Sequence, residues 1–301
     1  MTYRNVSSAE EEWPDGFEEL GPVDRPTSLF VQGRPIQANS KCIAIVGTRR
    51  PTTTGREIAE EMGKAFAEAG FVVVSGLAMG IDAAAHRGAL EAGGLTVAVL
   101  GCGLDVVFPE RNAALQRQIG ARGTLVTEYA HGMPPLARHF PARNRIIVGL
   151  SKAVVVIEGG FKSGALITAR LALEAGRHVF AVPGSPRNPV AIGPNHLIRS
   201  SEAALVTSAK EVFDHLAEDV TWTQPYQPGV VADLAPDEID VLHSLESVPA
   251  SVDQIARAID RSSGSVAMSL SKLELRGFAR RTRTGRYEIT DSGVRMSLSS
   301  A

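Results

Sequence analysis

The chain has 301 residues, 44% hydrophobic and 21% charged, with a formal net charge of −2, which suits one large domain plus a small one and announces no global polyanion partner. Two cysteines, Cys42 and Cys102, both in apolar strand-like surroundings, exclude a disulfide framework or a metal cluster and fit a reducing cytosol. The start has no positively charged region leading into an apolar core, and no segment approaches 18 uninterrupted apolar residues, so the expectation is a soluble, cytoplasmic protein with no membrane partner.

Charge is nevertheless uneven along the chain. Residues 1–40 hold three Arg against seven acids, whereas residues 251–301 hold eight Arg and one Lys against five acids. Residues 1–40 are also rich in Pro and Gly and lack clear periodicity. Their Trp13, Phe17, Leu20, Leu29 and Phe30 are spaced like the anchors of a lead-in segment that packs on the neighbouring domain. Cys42–Val46 then reads as a buried strand, ending in Gly47-Thr48-Arg49-Arg50-Pro51. A helix is expected from about Gly55 to Ala69, with Ile58, Met62, Phe66 and Ala69 on one face. Gly70 stops it, and Phe71–Val74 is the next strand.

That strand opens into Ser75-Gly76-Leu77-Ala78-Met79-Gly80-Ile81-Asp82, a glycine-rich turn before a helix that Asp82 can cap. His86 lies one turn on, on the same face. Both are candidate contacts of a ligand at this turn, although a histidine beside Asp82 on an alanine-rich helix start also fits a hydrogen-bonded structural role. Thr96–Leu100 is a third strand, closed by Gly101-Cys102-Gly103. Cys102 has no basic partner in view and reads as a small buried residue. Leu125–Thr127 adds another strand. Arg138-His139-Phe140-Pro141-Ala142-Arg143-Asn144-Arg145 then packs three arginines, a histidine and a ring into eight residues, with no acid between Glu128 and Glu158. Interleaved cations and a flat ring suit a single strand of nucleic acid. The helix Asn144–Leu150 that follows reads as core.

The densest stretch is Lys152–Ala175. Ala153–Ile157 is a mostly β-branched run with no polar interruption, as in a parallel strand buried on both faces. It empties into Glu158-Gly159-Gly160-Phe161-Lys162-Ser163-Gly164, followed by a helical pattern. A strand that turns through glycines into a helix presents unpaired N–H groups at the helix's positive end. Lys162 and Ser163 add a charge and a hydroxyl, and the natural occupant is a phosphate. Val179–Val182 is the last strand of the series. Strands alternating with helices at this spacing indicate an α/β fold, a doubly wound and mostly parallel sheet, with glycine loops at its carboxyl edge. No G-x-G-x-x-G fingerprint is present, so no dinucleotide cofactor is expected.

Residues 217–235, with Pro225, Pro228 and Gly229, read as a linker between a 41–216 domain and a second module at 236–292, leaving a tail at 293–301. Helices are expected at Pro236–Leu245, after Ser251 and from Ser262 or Ser263. Two strands, Ala279–Thr282 and Arg286–Thr290, flank Thr284-Gly285. Three helices and a hairpin make a winged helix, with Arg280, Arg281, Arg283 and Arg286 on the hairpin. Such modules bind DNA or dock proteins.

Six ordered blocks, IAIVGTRRPTTTG, SGLAMGIDAAAHRGAL, TVAVLGCGLDVVFP, HFPARNRIIVGLS, SGALITARLALEAGRHVFAVPG and GPNHLI, together cover most of residues 41–200. The pattern resembles the DprA/Smf family of DNA-processing proteins. The resemblance implies an extended Rossmann-like core that binds single-stranded DNA without cofactor, usually as a homodimer. It also implies protection of incoming strands and loading of the RecA recombinase onto them during natural transformation. The contacts expected on this basis are Gly47, Thr48, Arg49, Arg50, Gly76, Gly80, Asp82, His86, Gly101, Gly103, Arg138, Phe140, Arg143, Asn144, Arg145, Lys162, Ser163 and Gly164. Two departures stand out: the helical domain that opens many members is not visible before WPDGFEELG, and Ser200-Ser201-Glu202 replace a glycine-alanine step after GPNHLI.

Two other classes compete with a binding protein. A phosphoribohydrolase of the LOG type needs a glutamate on the helix after P-G-G-x-G-T, and here Thr168 falls at that place, removing the general acid or base. The expectation is therefore a non-enzyme. A sensor of a small nucleotide would use the same anion loops.

Overall fold

Short runs rich in β-branched residues form the middle of a nine-stranded sheet in the computed structural model, which describes residues 3–10, 12–21, 24–36, 41–216, 234–245, 249–275, 278–282 and 285–290. By its contacts the chain divides into two compact units, Met1–Thr221 and Trp222–Ala301. The linker expected at 217–235 falls mostly, and the tail at 293–301 wholly, outside the described residues.

The first unit opens with β1 (Tyr3–Ser7), β2 (Ser28–Gly33) and β3 (Cys42–Val46). There follow α1 (Thr53–Glu68), β4 (Val72–Ser75), α2 (Ile81–Glu91) and β5 (Thr96–Val99). Next come α3 (Ala113–Arg122), β6 (Thr124–Thr127), α4 (His139–Leu150) and β7 (Ala153–Val156). The unit closes with α5 (Gly164–Glu174), β8 (His178–Ala181), α6 (Ile192–Arg199), β9 (Ala204–Leu205) and α7 (Ala209–Leu216).

Strand order is β1-β2-β6-β5-β4-β3-β7-β8-β9. All pairs from β6 to β9 are parallel, with Ile43 opposite Ala153 at the centre; β2 runs antiparallel to β6, and β1 to β2. The acidic segment packs on the core through its expected anchors, and it is also more than a lead-in. It supplies two strands of the sheet, and Trp13, Phe17, Leu20 and Leu29 are core residues.

Alternation along the strands sorts the core into two faces. Cys42, Ala44 and Val46 turn towards Ile146, Ala165 and Ala169 of α4 and α5, while Ile43 and Ile45 meet Met62, Phe66, Ala85 and Phe213 of α1, α2 and α7. From β3 the chain winds one way through β4, β5 and β6, and from β7 the other way through β8 and β9. The order therefore switches between β3 and β7, and beyond their carboxyl ends the connections diverge and leave a crevice. No helix among the described residues is long and apolar enough to cross a membrane.

The second unit holds α8 (Pro236–His243), α9 (Val252–Ala258) and α10 (Ser263–Leu275), then the antiparallel pair β10 (Ala279–Arg281) and β11 (Tyr287–Ile289). Ser251 and Gln254 form a reciprocal capping box at the start of α9. Leu242, Leu245, Ile255, Val266, Leu270 and Leu273 make its own small core. This is a winged helix. On its hairpin Arg280 Nε donates to Glu288 Oε1 at 2.6 Å, Arg281 and Arg286 are exposed, and Arg283 lies outside the described residues.

Candidate functional site

Three strand-to-helix turns converge on the crevice, and their helix N-termini are not equivalent. At α1, Thr52 is the N-cap: its hydroxyl accepts from Gly55 N at 2.9 Å and donates to Glu158 Oε1 at 2.6 Å. Glu158 Oε2 accepts from Thr52 N at 2.9 Å. The positive end of α1 thus already faces a carboxylate of its own chain. At α2, Asp82 Oδ2 accepts from Gly76 N at 3.2 Å and Ala78 N at 3.3 Å. Burial pushes the Asp82 carboxyl above the usual range, while the Arg143 charge and these two amides pull the other way.

The third turn differs. Ser163 precedes α5 without a capping hydrogen bond, no acid stands in the first turn, and Ser163 Oγ is buried with no hydrogen-bond partner. Of the three, α5 is the helix whose N-terminal donors meet the crevice without an anion of the protein's own.

The crevice is a cavity of about 620 Å³, within the ~300–1,000 Å³ range of ligand sites. Its edges are the β3 loop (Gly47, Thr48, Arg49, Arg50) and the first turn of α5 (Ser163, Gly164, Ala165). Apolar side chains, Ile147 of α4 and Ile167 of α5 among them, form much of the wall. Phe140 stands at the rim with the Arg49 guanidinium 5.6 Å from its ring centroid. A mobile-length cation and a flat ring are thereby held side by side over a cradle of backbone donors. Gly80, at φ +86°, lets the β4 loop close on the β3 loop, where Ile81 N donates to Thr48 O at 3.2 Å.

Gly47, Thr48, Arg49, Arg50, Asp82, Phe140, Arg143, Asn144, Ser163 and Gly164 all border this cavity. Other expected contacts lie elsewhere. His86 is fully buried, with Nδ1 2.6 Å from Thr96 Oγ1. It is out of reach of a ligand at the sheet edge, so the expected contact is corrected to an internal one. The Thr96 hydroxyl gives its proton to Val73 O at 2.7 Å; His86 Nδ1 is therefore the donor, and Nε2 is left bare and unpartnered. Burial drives the His86 pKa down to about 3.

Arg143 is buried as well. Its Nη1 donates to Gly76 O and Val99 O, its Nε to Asn144 Oδ1 at 3.2 Å, and Nη2 lies 3.9 Å from Asp82 Oδ2. It ties the ends of β4 and β5 to α4 beneath the cavity, instead of offering a free charge. A Cβ at Gly76 would overlap this guanidinium, which explains the glycine there. Arg145 is also engaged, with Glu128 Oε2 at 2.5 Å and with Asp24 O. The acid that bounds the acid-free interval is the one that pairs it. Gly101 packs under the Phe140 ring and Gly103 against Ala130 O. Arg138 and Lys162 are exposed but do not line the cavity. Both thiols are buried, pushed up to about 12 for Cys42 and about 11 for Cys102.

Sequence reasoning missed the capping role of Thr52 and Glu158 and the apolar wall of Ile147 and Ile167. The last two helical positions follow a 3.6-residue period that only a known helix start could reveal. The helix expected from Asn144 begins earlier, within the Arg138–Arg145 cluster: α4 starts at His139, with Pro141 in its first turn, where its missing N–H costs nothing.

The family model described as DNA recombination-mediator protein A matches residues 4–217, and that described as DprA winged helix domain matches residues 225–283. Protein Smf of Escherichia coli is 39% identical over 267 residues, covering 86% of this chain and 71% of that protein. The X-ray structure of DNA processing protein A from Streptococcus pneumoniae aligns with a TM-score of 0.67 at 42% identity, over 72% of this chain and 75% of that one. A structure of DNA processing protein A from Helicobacter pylori, described for its single-stranded DNA binding mode, aligns with a TM-score of 0.66 at 28% identity, over 73% of this chain and 98% of that one. The chain belongs to the DprA/Smf family of DNA-processing proteins.

Proposed function

We propose that this protein binds single-stranded DNA in the crevice between the ends of β3 and β7, protects it, and loads a RecA recombinase onto it. The observation that carries the reading is the Arg49 guanidinium over the Phe140 ring, set beside the one helix N-terminus of the three that lacks its own carboxylate. A phosphate fits the donors of α5, and a base fits the ring. The single-strand binding mode described for the Helicobacter pylori protein supports it. We place the activity in the cytoplasm and assign it to a homodimer, in line with the family. A binding role fits better than hydrolysis: Thr168 stands where a phosphoribohydrolase needs its glutamate, and its hydroxyl is turned onto Gly164 O at 3.2 Å.

The test is fluorescence anisotropy with a labelled oligothymidine and a blunt duplex, beside an assay of recombinase filament formation on coated single strands. Expected are a preference for the single strand without strong sequence choice, and an affinity that falls with salt at a slope of roughly −0.7 per phosphate contact. Tight binding indifferent to salt, or preference for the duplex, overturns the reading.

A further inference from the structure

The loop between β5 and α3 presents an aromatic ring that the crevice described above does not use. Phe108 is 39% exposed, as is its neighbour Val107. A single exposed apolar side chain needs no explanation by itself. Phe108 differs in three respects. Its ring centroid is 5.3 Å from that of Phe140, with a 40° tilt between the planes, so it continues the one ring already at the rim. It also lines a separate cleft of about 50 Å³ with Arg49, Met79, Gly101 and Phe140, placing it on the side of Phe140 towards β5.

The third respect is the rigidity of its support. Val106 O accepts from Gln116 Nε2 at 3.1 Å and from Cys102 Sγ at 3.6 Å. On the other side Asn112 N donates to Pro109 O at 2.9 Å, and Asn112 Nδ2 to Leu77 O at 2.9 Å. Loops with exposed tips are ordinarily free to fold an apolar ring back onto the core. Here the backbone is pinned before and after the ring, Leu104 and Cys102 are buried beneath, and Phe108 is held outward.

We propose that Phe108 is a second base-stacking platform, and that it receives the nucleobase next to the one on Phe140. This rests on the single-strand reading of the crevice. The strand then leaves the switch point over Arg49 and Phe140 and continues towards the end of β5, rather than towards β8. Neutral rings suit this task because every base has a π-face, so the step adds affinity without sequence choice.

The test uses the full chain and a labelled 30-residue oligothymidine. Phe108→Leu keeps an apolar side chain against Phe140 but removes the π-face; affinity should fall about tenfold, within the range of one base–aromatic stack. The salt slope should stay unchanged, because no cation is lost. Phe108→Trp should retain affinity, and its emission should be quenched at saturation relative to the wild type, whose own tryptophans are Trp13 and Trp222. A Phe108→Leu protein that binds like the wild type, or a Phe108→Trp emission that ignores saturating oligothymidine, overturns the proposal while leaving the crevice reading intact. If the wild-type chain does not bind oligothymidine at all, the crevice reading falls and takes this proposal with it.

Discussion

Arg49 and Arg143 border the same cavity with the same formal charge, yet their surroundings assign them different work. Arg49 is exposed on the β3 loop and touches a ring. Arg143 is buried, bound to two carbonyls and near Asp82. Replacing Arg49 by Ala should weaken single-strand binding by about 1–2 kcal/mol, the weight of a charge-assisted hydrogen bond. It should also make the salt slope shallower by roughly 0.7, with an almost unchanged melting temperature. Arg143→Gln leaves Asp82 without its counter-charge and should cost about 3 kcal/mol of stability. At this size that is a fall of roughly 6–12 °C in Tm, with the salt slope intact. Titrating both variants with oligothymidine at several salt concentrations, beside thermal melts, separates the roles. A shallower slope for Arg143→Gln without loss of Tm would show that the buried guanidinium reaches phosphate after all. Nothing in the spacing of the Arg138–Arg145 cluster marks Arg143 as buried and Arg138 as exposed, since burial is decided by the start of α4 and by which carbonyls lie beneath it.

On the scale of elements, α2 shows how much of a site is scaffold. Asp82 and His86 sit one turn apart on its buried face, and each is spent inside the protein. The histidine gives this helix a signature in acid. Its folded pKa is about 3, below the ordinary value near 6.5, so between these limits the unfolded chain takes up a proton that the folded one refuses. Stability from this group is complete above pH ~6.5 and declines as pH falls towards 3, by about 1.4 kcal/mol per pH unit. His86→Asn removes the titration and should flatten the fall of Tm between pH 7 and pH 5 relative to the wild type. Equal slopes for the two proteins would place the proton elsewhere. The central strands were legible because short β-branched-rich runs without polar interruption, such as Ala153–Ile157, have few alternatives. The strands β1 and β2 were not. YRNVS and SLFVQG are short and mixed in polarity; β2 becomes a strand by pairing with β6 across about a hundred residues of chain, and β1 by pairing with β2 in turn, a tertiary effect that no local pattern carries.

For the molecule as a whole, the division of labour follows from where the exposed donors lie. The groove residues, the Arg49–Phe140 pair and Phe108 all belong to the unit Met1–Thr221, which has its own two-faced core. The winged helix has a separate core. Among the described residues of its hairpin Arg280, Arg281 and Arg286 are all exposed, and Arg280 is already bound to Glu288. Three exposed arginines, one of them offset by a carboxylate, make a small electrostatic footprint compared with a groove that has a helix N-terminus, a loop of two arginines and aromatic rings. Ending the chain after about Glu218 should therefore leave a folded protein whose affinity for a long oligothymidine stays within about tenfold of the full chain. Contact with duplex DNA or with a protein partner is what the truncation should remove. The measurement is anisotropy on both forms at the same salt concentration, with circular dichroism to verify folding. A folded truncation that loses more than about 1.4 kcal/mol of single-strand binding would make the winged helix a primary DNA site, and would move the centre of recognition away from the crevice at β3 and β7.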